Sequence, residues 1–256
     1  MQVTRFPAAP LRGSVSTTYY GFREATAAPM RRREGPGPHV VVIVSFGDDW
    51  LIDGERVQSF AAGLHERQVT TEHAGRAYGM HVNLAPPAAR MLFGVPLDSL
   101  ANRVVPLDDV LADPTLAERL YEAGSWASRF ALLDAVLARG LADARSPTPG
   151  VVWAWRRLVE TGGKVAVGAL AEELGWSRKR IVARFRTEIG LPPKAAARLL
   201  RFENARARAE REARPEWGRI AVECGYYDQS HLINDFRAVT GVTPETFFQD
   251  AAAPAA

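Results

Sequence analysis

The spacing of apolar residues changes near residue 110, from patterns typical of strands to patterns typical of helices. His39–Phe46 is a continuous β-branched run, which predicts a buried strand. Over residues 78–84, apolar residues alternate with small or polar ones, as in a strand with one buried face. Short strands at this spacing favour a sandwich or a small barrel. The other strand candidates are residues 50–52, 57–64 and 68–73.

Beyond residue 110 the apolar residues recur at intervals of three and four, which predicts helices. Pro114 begins a helix that runs to about Ala123, and a second helix runs from Ser125 to about Leu141. The apolar stripe of the second helix, which begins at Trp126, either packs on the β-layer or forms a dimer face, and we expect packing. Further helices are predicted at residues 151–160, 167–174, 177–189, 193–212, 217–224, 230–240 and 244–248.

Pairs of short helices separated by a glycine recur in the carboxy-terminal part. In the first pair, the apolar stripe of residues 167–174 ends at Gly175, a residue that tolerates the positive φ of a sharp turn. Ser177 follows as the predicted N-cap of a helix that extends to Ile189. This second helix has an apolar stripe on one side and is basic on the other. Such a pair indicates a helix-turn-helix.

The same pattern returns at residues 217–241. Gly225 lies in the turn, Asp228 is the predicted N-cap, and the second helix is predicted at Ser230–Thr240. One such pair is a weak indication, whereas two close together are a specific one. The helix predicted between them, Pro193–Glu212, would be about 30 Å long. That length is close to the roughly 34 Å between successive turns of a DNA major groove.

Proline and glycine residues indicate how the chain is divided. Residues 1–38 contain several prolines and are predicted to be loosely structured. The polar, helix-breaking segment 146–150 is the predicted domain boundary. We therefore expect an α+β fold. A β-rich domain at residues 39–145, with two helices at its end, precedes an all-α domain at residues 146–256, in which a long helix joins two helix-turn-helix units.

The carboxy-terminal segments resemble the DNA-binding domain of the AraC/XylS family over residues 150–250. GYYDQSHLINDFRAVTGVTPETF (residues 225–247) is similar to the family's second unit, and SRKRIVARFRTEIGLPP (residues 177–193) to the end of its first. The resemblance implies a sequence-specific, DNA-binding transcription regulator. Its recognition helices, Ser177–Ile189 and Ser230–Thr240, would lie in successive major grooves.

The resemblance also implies which side chains face the DNA. The family often has arginine where this chain has Ala183 and Asn234, so the usual contact of arginine with guanine is missing at both positions. Asn234 is suited to adenine instead. The resemblance places on the base-facing side Arg178, Lys179, Val182, Ala183 and Arg184 of the first unit, and Gln229, Ser230, His231 and Asn234 of the second. Arg186, expected at a phosphate, and Arg237 complete the expected DNA-binding residues.

Net charge differs between the two parts of the chain. Residues 1–149 carry 15 Lys and Arg against 16 Asp and Glu, a net of −1, whereas residues 150–256 carry 17 against 13, a net of +4. A basic domain beside a neutral one suggests a polyanionic partner, although on charge alone a solvated basic face is the better explanation. The resemblance is what makes double-stranded DNA the expected partner. No apolar run approaches the roughly 18 residues of a membrane span, and the first residues lack the apolar core of a signal peptide. We therefore expect a cytoplasmic protein with no membrane partner.

The amino-terminal domain is expected to bind a small-molecule effector or to form a homodimer, because the family pairs its DNA-binding domain with such a domain. The effector-binding residues stay unknown from sequence. The four histidines His39, His65, His73 and His81 lack the spacing of metal ligands, so we expect no metal and no other cofactor. An alternative is a ligand-independent DNA binder whose amino-terminal domain only assembles oligomers.

Enzymatic activity is a further alternative, and we expect the protein not to be an enzyme. The sequence contains none of the motifs H-E-x-x-H, C-x-x-C, G-x-S-x-G or G-x-G-x-x-G. DNA-repair methyltransferases sometimes carry the same helical domain, and they need a reactive cysteine. The single cysteine, Cys224, is predicted to be buried on the apolar stripe of a helix in the second unit.

Overall fold

The amino-terminal part of the chain forms two antiparallel sheets. The computed structural model describes residues 1–8, 11 and 19–252, with only the backbone at residues 250–252. The predicted strands between residues 39 and 84 are confirmed, although the candidate at 57–64 divides into two short strands. The strands are β1 (Gln2–Arg5), β2 (Tyr19–Ala25), β3 (Met30–Glu34), β4 (Val40–Ser45), β5 (Trp50–Ile52), β6 (Glu55–Val57), β7 (Phe60–Ala62), β8 (Val69–His73), β9 (Arg76–Leu84) and β10 (Val104–Pro106).

The two sheets enclose a space that the side chains of β9 help to line. The larger sheet has the order β1-β2-β9-β4-β7-β10, and the smaller one has the order β3-β8-β5-β6. Tyr20 lies opposite His81, and Val42 lies opposite Val82. One face of β9 contributes Met80 and Val82 to the main core, while His81 on the other face lines the space between the sheets. The alternation predicted for this strand is confirmed.

The prediction of a loosely structured segment at residues 1–38 is wrong for β1 and β3, whereas β2 forms where Tyr19, Tyr20 and Phe22 indicate a short strand. β2 pairs with β9 from Tyr20 to Ala25, and β1 pairs with β2. The edge strand β3 pairs with β8 although its Arg and Glu side chains are exposed. Charge on an edge strand discourages pairing with other chains, and it hides the strand from a hydrophobicity pattern. Residues 9–10 and 12–18 of this segment lie outside the described residues.

Three helices pack on the larger sheet: α1 (Pro86–Phe93), α2 (Leu116–Glu122) and α3 (Trp126–Asp143). Phe130 of α3 is buried, and a Cβ on Gly21 of β2 would lie 2.0 Å from the Trp126 ring. The expected packing of α3 on the β-layer is therefore confirmed. Helix α1 was not predicted, and it begins with two prolines. Proline is nevertheless favoured in the first turn of a helix, where its missing N–H costs nothing.

The carboxy-terminal part is helical as predicted, and its helices have well-defined ends. They are α4 (Pro149–Glu160), α5 (Val167–Glu173), α6 (Arg178–Ile189), α7 (Pro193–Ala209), α8 (Trp217–Glu223), α9 (Gln229–Thr240) and α10 (Pro244–Ala252). Helix α7 ends three residues before the predicted Glu212, so it is about 25 Å long rather than 30 Å. No helix in the described part of the chain is long and apolar enough to span a bilayer.

Each helix-turn-helix unit has its own core. In the first unit, Phe185 is completely buried, with its ring centroid 6.4 Å from that of Trp155. In the second, Phe236 is completely buried, and its ring centroid lies 4.8 Å from that of Phe202. Cys224 is 2% exposed in the same core, as predicted. The helical part is thus two packed lobes that share the long helix α7.

The predicted boundary at residues 146–150 is bound to the first unit. The backbone N–H and the hydroxyl of Thr148 both donate to the carboxylate of Glu188 on α6, at 2.7 and 2.6 Å. Helix α4 begins at Pro149, within the predicted linker. The segment therefore connects the two parts while it is fixed against α6.

Candidate nucleic-acid interface and internal cavity

Helix α6 exposes all the residues predicted to face DNA in the first unit. The Ser177 hydroxyl accepts from the backbone N–H of Arg180 at 3.2 Å, and Gly175 in the turn has a φ of +62°. The predicted cap and turn are therefore confirmed. The opposite face carries a fully buried stripe that includes Ile181 and Phe185, so the orientation of the helix is fixed. The exposed residues are Arg178, Lys179, Val182, Ala183, Arg184 and Arg186.

Helix α9 has the same arrangement in the second unit. Its N-cap is Asp228, as predicted, and the carboxylate accepts from the backbone N–H of His231 at 2.7 Å. Gly225 in the turn has a φ of +81°, and Leu232 and Phe236 are completely buried. The helix begins at Gln229, one residue before the predicted start. Its exposed residues include the predicted Gln229, Ser230, His231, Asn234 and Arg237.

The cations of α6 are free, whereas the arginines of α7 are neutralised. Within the described residues, none of the arginines and lysines of α6 has a carboxylate within 4.0 Å. Every arginine of α7 does have one, in the pairs Arg198–Glu66, Arg201–Asp235, Arg206–Glu203 and Arg208–Glu223. Unpaired, exposed cations on one helix face are suited to an external polyanion.

A cavity of about 720 Å³ lies between the two sheets and is partly covered by α7. Its wall combines aromatic and aliphatic side chains with a few polar groups. Glu203 and Arg206 of α7 also line it. The apolar lining includes Phe22, Val41, Ile43, Ile52, Phe60, Val69 and Val104. Such a wall suits an apolar or aromatic molecule that also accepts hydrogen bonds.

Three of the four histidines considered as metal ligands meet in this cavity: His39, His65 and His81. Burial lowers the pKa of each, so the neutral imidazole is favoured. Because the Asn83 oxygen, 2.9 Å away, can only accept, the Nε2 of His81 donates to it. The Nδ1 of His81 then accepts from the Tyr20 hydroxyl at 2.8 Å. Across the described chain, no group of three or more His, Cys, Asp or Glu residues is arranged to hold a metal ion.

The segment Leu64–Gln68 joins the cavity to both helix-turn-helix units. His65 and Arg67 line the cavity. Their neighbours contact the helical part instead: Leu64 is buried in the core of the first unit, and Glu66 pairs with Arg198 of α7 at 2.7 Å. The backbone N–H of Gln68 donates to the carbonyl of Val239 in α9 at 3.0 Å. A shift of this segment would therefore reach both units.

Comparison with known families agrees with this geometry. Residues 170–250 match a family described as a helix-turn-helix domain, which includes α6 to α9. This match agrees with the resemblance of residues 150–250 to the DNA-binding domain of the AraC/XylS family. The chain thus carries a helix-turn-helix domain of a DNA-binding type. Its residues 4–106, which form the two sheets, match a domain of unknown function (DUF6597). No curated protein matches the chain.

A solved structure shares the fold of this chain. Apo ToxT from Vibrio cholerae strain SCE256, as a lysine-to-alanine variant, is similar over 96% of this chain and 99% of its own, with a TM-score of 0.51 and 8% identity. That likeness confirms the α+β arrangement. Wild-type ToxT bound to an unsaturated fatty acid gives a TM-score of 0.44 at 11% identity, with 88% and 96% of the two chains covered. A xylose-binding transcription activator, xylR, gives 0.35 at 21% identity, with 49% and 39% covered.

The cavity residues were not predicted individually from the sequence. The alternation of β9, which separates His81 and Asn83 from the core face, is the one sequence signal that points to them. The other residues that line the cavity come from strands and helices that are distant along the chain. Only the folded structure brings them close to His81 and Asn83.

Because these histidines are buried, we expect the folded protein to lose stability in mild acid. Because their folded-state pKa is lowered, the unfolded chain binds more protons below about pH 6.5. Stability that is present above that pH is therefore lost as the pH falls. Tm should decrease when the pH is lowered from about 7.5 to 5.5. His81→Gln should give a flatter Tm–pH curve in differential scanning calorimetry. The exposed His231→Gln is the matched control, and a curve for His81→Gln parallel to wild type would contradict the prediction.

Proposed function

We propose that α6 and α9 read bases in successive major grooves of one duplex, so that the chain is a sequence-specific regulator. The observation that carries the proposal is the pair of capped helices, each with a buried stripe on one side and an exposed polar face on the other. The proposed base contacts come from the first two turns of each helix, where Lys179 and Gln229 lie. Arg186 and Arg237, in the last turns, are assigned to phosphates.

Substitutions on the two helices test these assignments. Lys179→Ala or Gln229→Ala should weaken binding to a selected site by about 1–3 kcal/mol and leave binding to random DNA nearly unchanged. Arg186→Ala should weaken binding to the selected site and to random DNA alike, since a phosphate contact has no sequence preference. It should also reduce the dependence of DNA affinity on salt concentration. Fluorescence anisotropy on a site selected from random DNA measures all three.

A control and a contradicting result are available in the same assay. Arg33→Ala removes an exposed positive charge from the edge strand β3, outside the helical part, and should bind as wild type does. Equal affinity of wild type and Lys179→Ala for the selected site would remove Lys179 from the interface. Wild-type protein that selects no sequence at all would refute sequence-specific binding.

We further propose that the cavity binds a small effector and that Leu64–Gln68 transmits its presence to the DNA-binding part. The domain division at residue 146 belongs to this proposal, with the two sheets and the helices before it, including β1 to β3, as the sensor and residues 146–256 as the reader. The lining favours a molecule with an aromatic or aliphatic body and hydrogen-bonding groups that match neutral imidazoles. An effector that binds the two arrangements of sensor and reader unequally shifts their populations.

A thermal-shift screen with small aromatic and aliphatic metabolites tests effector control. A ligand at one hundred times its Kd should stabilise the wild type by about 2.7 kcal/mol. Ala62→Trp fills the cavity and should abolish that shift, whereas the exposed Ala131→Trp on α3 should retain it. Glu66→Gln breaks the ion pair with Arg198, so it should keep the thermal shift but reduce the change in DNA affinity that the ligand causes.

The outcomes of the screen distinguish the alternatives. If no compound stabilises the protein, assembly without a ligand becomes the better account of the amino-terminal domain, and a homodimer is the first form to test. If Glu66→Gln transmits the ligand effect fully, the segment is not the connection. A methyltransferase activity has little support, because burial raises the pKa of the Cys224 thiol and disfavours the reactive thiolate.

A further inference from the structure

A second cavity, an open groove of about 620 Å³, lies where α1, the segment at residues 145–149 and α6 meet. The amino-terminal domain forms one side of this groove, and α6, the first recognition helix, forms another. Three guanidinium groups line it, from Arg90 on α1, Arg145 in the connecting segment and Arg184 on α6. The hydroxyls of Ser146 and Thr187 belong to the same lining residues.

The charge in this groove is not neutralised by the protein. Within the described residues, none of its three arginines has a carboxylate within 4.0 Å, unlike the arginines of α7. The Nε of Arg90 is buried and has no hydrogen-bond partner in the described part of the chain. Glu188 also lines the groove, but its carboxylate already accepts two hydrogen bonds from Thr148. The groove therefore keeps a net positive charge and free donors.

Guanidinium groups and hydroxyls together are suited to phosphate oxygens, since the planar fork of arginine donates to two oxygens at once. The groove is open to solvent, because Arg145, Ser146 and Arg184 are exposed. It also adjoins α6, whose free cations include Lys179 and Arg186. An open groove beside a recognition helix favours an extended polyanion over an enclosed small one.

We propose that this groove binds backbone phosphates of the DNA next to the bases that α6 reads. The proposal rests on the proposed function of α6. It assigns a direct DNA contact to the amino-terminal domain through Arg90, and it places Arg184 at a phosphate rather than at a base. Arg90, Arg145 and Arg184 form a complete phosphate clamp only while α1 stays packed beside α6. DNA affinity therefore depends on the position of the sensor domain.

The test compares Arg90→Ala and Arg145→Ala in the full chain, by anisotropy on the selected site and on random duplex over a range of salt concentrations. Each variant should weaken both kinds of binding by about three- to tenfold. Each should also lower the slope of log affinity against log salt by about 0.9 for the lost phosphate contact. Arg33→Ala should match wild type. Arg145 is exposed in a connecting segment, so its variant tests the proposal even if Arg90→Ala disturbs folding.

Two results would overturn the proposal. In the first, both groove variants bind both duplexes as wild type does, while Lys179→Ala still weakens binding to the selected site. That result would support the reading of bases by α6 and refute the phosphate clamp. In the second, inorganic phosphate binds to DNA-free protein in calorimetry, Arg90→Ala abolishes that binding, and DNA affinity is unchanged; the groove then takes a free anion. A wild-type chain that binds no duplex refutes the proposed function as well.

Discussion

Burial of one aromatic residue in each recognition helix is the constraint on which the DNA-binding surface depends. Phe185 and Phe236 occupy equivalent places, both are completely buried, and both lie on stripes that leave the opposite face to polar residues. If either ring left its core, the orientation of the helix about its own axis would no longer be fixed, and the polar face would not be presented. The caps at Ser177 and Asp228 fix where each helix begins, and the glycine turns fix how it enters. Local chemistry and core packing thus specify the same surface twice in one chain.

The amino-terminal domain is packed against the helical part by several specific contacts, away from the exposed faces of α6 and α9. Leu64 enters the core of the first unit, Glu66 pairs with α7, and Thr148 fixes the connecting segment to α6. The backbone N–H of Gln68 also donates to the carbonyl of Val239 in α9, so residues 64–68 contact both helix-turn-helix units. A change in the cavity therefore has a short physical route to DNA affinity, through a segment whose alternate residues face the two parts. In the proposed account, sensing and binding share one set of contacts.

Sequence reasoning succeeded where structure is set by local spacing and failed where it is set by distant partners. The helices of both units, their caps and their glycine turns follow from residues within a few positions of each other, and the structure confirms them. Strand β3 was missed because its exposed arginines conceal a strand that exists through backbone pairing with β8. Helix α1 was missed as well, since it is only eight residues long and begins with two prolines. The arginine groove could not be predicted, since Arg90, Arg145 and Arg184 meet only after folding.

The central claim is that one chain places two helices in adjacent major grooves on one face of a duplex. Helix α7 is the spacer that sets their separation, and its own four arginines are held by carboxylates of the protein. Hydroxyl-radical footprinting of the full chain on a selected site tests this most directly. The account predicts two protected segments about 10 base pairs apart on the same face, within a site of roughly 20 base pairs. A single protected segment, or two on opposite faces, would contradict it.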